Sequence, residues 1–189
     1  SIASERDRPA LNLPRAQQVV ELLEAFGWRS HRPDPLAQRD EAISARQAGM
    51  LANAGLIHGR IARLSDAHAV TALALDESLS VEAFLDALTR RVLGRGPETE
   101  ERDAMRSHLG DTFATRIVPG AKPLRVIDHP RRATWSNHLN ADATTAVLDE
   151  EARLLAGDPP TSRLTEAFRQ RAEDLIWALV NHPDFVITP

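Results

Sequence analysis

Apolar residues in this chain recur at helical spacing, and that pattern rules out most folds. The clearest case is Val81, Phe84, Leu85, Leu88, Val92 and Leu93. Steps of three and four residues place such groups on one helix face. Ser80 stands in the N-cap position before them and Gly94 closes the run. A serine oxygen can accept an orphan helix N–H, and glycine tolerates the left-handed turn that ends a helix. No stretch alternates for long enough to make a strand; Val126-Ile127 is too short. The fold class expected is all-α, an irregular multi-helix bundle of about seven helices with a proline-broken basic arm.

The remaining helices follow from the same signals. Pro14 opens one whose apolar face is Val19, Val20, Leu22, Leu23 and Phe26, with Gly27 as its stop. A second runs from near Glu41 through Ile43, Ala48, Met50, Leu51, Ala54 and Ile57 towards Leu64. Gly49 and Gly55 inside it each cost ~1 kcal/mol relative to alanine. They imply either a closely packed neighbour or a break near Gly55. Ser65-Asp66 is expected to cap a short helix ending near Leu75. Pro97, Glu98, Glu100 and Glu101 open a helix to about Leu109, the acidic groups matching the helix dipole. A long helix is expected from Asn140 to Ala156. The last starts near Thr165, buries Phe168, Ala172, Leu175, Ile176 and Leu179, and turns Arg169, Gln170, Glu173 and Asp174 outward. Asn181 and Pro183 should end it.

Residues 1–13 read as a linker or frayed arm, and 14–189 as a single helical domain. Within it, 115–136 is an irregular arm broken by Pro119, Gly120, Pro123 and Pro130. This arm is basic through Arg116, Lys122, Arg125, Arg131 and Arg132. Gly157-Asp158-Pro159-Pro160 marks a linker over 157–162.

Composition excludes several function classes. At 189 residues the chain can bury roughly 70% of its unfolded surface, so stability requires no disulfide or metal. Net charge is 23 − 27 = −4, which gives no general attraction for nucleic acid. No apolar run approaches a transmembrane length, so no membrane insertion is expected. The absence of cysteine excludes disulfides, thiolate zinc sites, iron–sulfur clusters and attached c-type haem within this chain. No cofactor is expected here. The chain begins at Ser1 without a signal peptide, and it reads as a C-terminal piece of a larger protein.

Several stretches carry a resemblance. They are Phe26-Gly27-Trp28, Arg32 to Arg39, Gln47 to Asn53, and Leu64-Ser65-Asp66-Ala67-His68. Next come Phe84-Leu85, Arg91 to Arg95, Pro97 and Glu100-Glu101-Arg102, then Trp135-Ser136-Asn137-His138-Leu139. Gly157-Asp158-Pro159-Pro160-Thr161, Glu173 to Asn181 and Pro183-Asp184-Phe185 complete the set. In order and spacing they resemble the C-terminal helical domain of planctomycete-type, cytochrome-c-associated proteins, labelled domain of unknown function 1553. The resemblance covers nearly everything after Pro14. It implies a secreted or periplasmic parent chain, often with a c-type cytochrome domain and a second helical domain upstream. It brings no established catalytic residues. Many relatives have cysteines shortly after the Phe-Gly pair, whereas residues 30–40 here have none, so no role of those cysteines carries over.

Candidate chemistry is sparse. His58, His68 and His138 could form a three-histidine metal site, but HExxH is absent, nothing in the spacing demands such a site, and surface or capping histidines are the favoured reading. Trp135-Ser136-Asn137-His138 either caps the next helix or lines a ligand cleft with Arg131 and Arg132. Ser136 lacks the Gly-x-Ser-x-Gly frame of a nucleophile. Arg39, in a charged loop with Arg32, Arg46, Asp34, Asp40 and Glu41, could fork onto a carboxylate of another domain or form local ion pairs. Asn53 should be partly buried and hydrogen-bonded. The ligand or interface candidates are thus Arg39, Asn53, Arg131, Arg132, Trp135, Asn137 and His138, with no catalytic or metal residue assigned.

The function expected is a non-catalytic structural or interaction module at the C-terminus of a larger extracytoplasmic protein. Its partners would be the upstream domains of its own parent chain. The alternative is part of a shared active site, redox or polymer-degrading, completed by those domains. A carbohydrate- or peptide-binding module is disfavoured, because only Trp28 and Trp135 lie outside clear core stripes.

Overall fold

The computed structural model describes residues 17–27, 44–55, 57–124, 139, 145, 148–149, 152 and 156–187. Helix accounts for 64% of what is described, and no strand occurs among the described residues. The all-α expectation therefore holds. By its internal contacts the chain divides into two compact units, 1–59 with 127–157, and 60–126 with 158–189.

In the first unit, α1 (Gln17–Ala25) and α2 (Ala45–Asn53) pack together. Gly27, at φ 80°, follows α1 in the left-handed conformation that a stop glycine supplies. At the start of α2, Gln47 Oε1 accepts from the Ser44 amide at 3.2 Å. The long second helix expected over 41–64 is interrupted. Ala54 is extended (φ −68°, ψ 127°), and a π-helical stretch, Ile57–Ala62, follows. A Cβ placed on Gly49 or Gly55 would meet no described atom within 4 Å. Of the two roles expected of these glycines, the break near Gly55 is present. The helix expected over 140–156 falls mostly outside the described residues; Thr145, Leu148, Asp149, Ala152 and Ala156 are described, each helical.

The second unit is built around α4 (Val81–Leu93). It packs against α3 (Ala69–Ala74), α5 (Thr99–Leu109), α6 (Glu166–Val180) and α7 (Pro183–Ile187). Its caps are those the sequence implies: Ser80 Oγ accepts from the Ala83 amide, and Gly94 is left-handed at φ 74°. Phe84, Leu85 and Leu88 are fully buried, as are Leu109, Phe168 and Ala172. The rings of Phe84, Phe113 and Phe168 form a triangle with centroids 5.4–6.0 Å apart. Such tilted pairs add about 0.5–1.5 kcal/mol each beyond area burial. Phe113 comes from a 3-10 turn, Gly110–Phe113, that continues α5.

Three expectations need correction. The N-cap of α3 is His68, not Ser65-Asp66. Pro183 does not merely terminate the last helix; after a turn at Asn181 and His182 it starts α7. Glu173 does not face out. It is half-buried, and its Oε1 accepts from the Leu64 amide at 2.9 Å; Arg169, expected outward with it, is no more exposed and donates to the Thr161 carbonyl at 3.1 Å.

Candidate functional site

Polar side chains of the second unit gather in three places, and each place joins segments distant in sequence. The first is Asp66. Its Oδ1 accepts from Thr161 Oγ1 at 2.6 Å, and its Oδ2 accepts from the Leu124 amide at 2.7 Å. Thr161 is fully buried. Its amide donates to the Leu64 carbonyl at 2.8 Å, and its own carbonyl accepts from Arg169 at 3.1 Å. Nearby, Val118 and Thr165 amides donate to the carbonyls of Arg163 and Arg116. The 157–162 stretch, expected as a linker, is thus fastened to two other segments. Its Pro-Pro pair fixes an extended backbone that cannot pair as a helix, so side chains and single bridges satisfy it.

The second place is Arg116. The sequence counts it with a basic arm, but the residue is only 7% exposed. Nε donates to the Ala74 carbonyl at 2.7 Å, Nη1 to Phe113 at 3.0 Å and Nη2 to Asp76 at 2.7 Å. Two of these carbonyls lie at or just past the end of α3, where helix oxygens lack intrahelical partners. The guanidinium also lies 4.0 Å from the Phe113 ring centroid, a cation–π distance. Burial pulls its pKa down, partly offset by Glu77 and Asp76. A fork whose donors already hold three carbonyls is not offered to a ligand.

The third place is Arg95. It binds Glu101 through two parallel bonds of 2.8 Å and Asp184 through Nε at 2.7 Å. Glu101 also accepts from the Glu98 amide at 2.7 Å, which ties the α5 N-terminus to the cluster. His182 Nε2 lies 3.4 Å from Glu101, and its Nδ1 accepts from the Asp184 amide at 3.1 Å. Arg95 holds the Glu101 carboxyl down at about 2. A bidentate arginine that also holds a second carboxylate fastens α7 and the α5 N-terminus to the segment that follows α4.

Of the candidates named from the sequence, Asn53 alone is described. It is exposed rather than partly buried, and its Nδ2 donates to the Gly49 carbonyl one turn back at 3.0 Å. Arg39, Arg131, Arg132, Trp135, Asn137 and His138 lie outside the described residues. His58 and His68 each bond a nearby backbone carbonyl, of Ala52 and Ile61. No group of three or more metal-type ligands occurs among the described residues. No described helix is long and apolar enough to cross a membrane.

Sequence reading missed the Asp66–Thr161 and Arg95–Asp184 contacts. Their partners stand 95 and 89 residues apart, and spacing has no reach over such distances. One signal was available: Glu98 and Glu101 at N-cap and N3 match the reciprocal pattern of a capping box. Comparison with protein-family models, curated proteins and solved structures found no match to this chain.

Proposed function

We propose that this chain is a non-catalytic structural and interaction module at the C-terminus of a larger extracytoplasmic protein. One observation carries the reading. The convergent polar groups of the second unit, Asp66, Arg95 with Glu101 and Asp184, and Arg116, bond to backbone or to one another. Groups engaged in this way fix loops and helix ends, and catalysis needs donors or bases left open towards a substrate. The stretches on which the resemblance rests include Asp66, Thr161, Arg95, Glu101 and Asp184. In this chain those residues are fasteners, which suits a family without assigned catalytic residues. The resemblance also supplies the compartment and the partners: a periplasmic or secreted parent whose upstream domains this module packs against.

The test has two arms. Purified alone, the chain should unfold cooperatively and give, by native mass spectrometry, the mass of the bare polypeptide. Stoichiometric metal or haem would overturn the non-catalytic reading. In the full-length parent, chemical cross-links should join this module to upstream domains; links confined to the module would overturn the interaction role.

A further inference from the structure

His68 occupies an unusual position for a helix cap. Serine, threonine, aspartate and asparagine dominate N-caps because their oxygens accept an orphan N–H at any pH near neutrality. Here a ring nitrogen does it. The Val70 amide donates to His68 Nδ1 at 3.2 Å, so Nδ1 carries no proton. The proton must then sit on Nε2, which donates to the Ile61 carbonyl at 2.9 Å. One imidazole thus joins the start of α3 to the π-helical stretch Ile57–Ala62. Both bonds exist together only in the neutral Nε2–H tautomer.

We propose that His68 is an acid-sensitive clasp: protonation of its Nδ1 ejects the Val70 amide and frees the first turn of α3 from the π-helical stretch. Imidazolium has two donors and no acceptor, so the Val70 N–H would face a like-signed N–H. The surrounding charges set the threshold. Half-burial of the ring disfavours the cation most and Arg91 of α4 adds to it; the bond to the Ile61 carbonyl offsets part of this, and His68 is left below its ordinary value. Arg60 and Arg63 lie on and just after the π-helical stretch and carry charge of the same sign. Asp66, in the same loop, is the opposing charge, and its oxygens are bonded to Leu124 and Thr161.

The sign of the effect follows. The ordinary value is 6.5 and the folded value is lower. The stabilisation is complete above 6.5 and is lost as pH falls below it, where the unfolded chain takes up a proton that the clasp resists.

The experiment is amide hydrogen exchange at Val70 in the full chain, expressed as protection against intrinsic exchange. Protection should fall about fivefold, the size of a lost N-cap, as pH is lowered from about 7.5 to well below the ordinary histidine value of 6.5. In His68→Asn, whose oxygen keeps the cap and does not titrate, protection should stay flat. Equal pH responses in both proteins would overturn the clasp. A nitrogen-15 spectrum of the wild-type ring at pH 7.5 provides a test independent of any variant. It should show the Nε2–H tautomer, and an Nδ1–H ring would refute the proposal.

Discussion

Arg116 and Glu101 show how much a single charged side chain does in this fold. Arg116 sits buried with its donors on the carbonyls of Ala74, Phe113 and Asp76. Replacing it by methionine keeps most of the volume but orphans those oxygens, at a cost of about 1–3 kcal/mol. Arg116→Lys should recover little, because an ammonium is a point donor and cannot span three divergent carbonyls. Chemical denaturation of both variants checks this; wild-type stability in either would contradict the assigned role. Glu101 gives a pH prediction. Its carboxyl lies at about 2 in the fold against an ordinary 4.5. Its stabilisation is therefore present above 4.5 and lost as pH falls from there towards 2. In Glu101→Gln the stability–pH curve should be flatter over that range, and superimposable acid limbs would count against the Arg95 cluster.

Among the elements, α4 was the most legible, because its order is local. Ser80, Gly94 and the Phe84, Leu85 and Leu88 stripe lie within one helix, where periodicity and caps decide the outcome. The stripe of α6 was equally readable, apart from Arg169 and Glu173, which read as surface residues until Thr161 and Leu64 are seen beside them. Phe113 was not legible. It lies beyond the helical run, in a 3-10 turn, and reaches the core only because Phe84 and Phe168 make a place for it. The candidate site was barely legible, since its bonds join residues far apart in sequence and one expected linker proved to be pinned. Leu88 is fully buried on α4, and Leu88→Ala should cost about 2–5 kcal/mol through lost transfer energy and a residual cavity. Thermal unfolding would reveal it as a clear fall in midpoint, and an unchanged midpoint would mean that α4 is not the centre of its unit.

At the scale of the molecule, the question is whether its polar clusters exist to hold the chain or to act on something. Those two purposes have opposite thermodynamic signatures. Groups retained for activity commonly cost stability, so replacing them is neutral or stabilising. Groups that satisfy buried partners destabilise when removed. Asp66 decides between the two most directly. It joins three segments by accepting from Thr161 and Leu124, and Thr161 is itself completely buried. The decisive measurement is the unfolding free energy of Asp66→Ala against wild type by chemical denaturation. A structural module requires a loss of about 1–3 kcal/mol, the cost of leaving a buried hydroxyl and an amide without their acceptor. Equal or greater stability in the variant would contradict it.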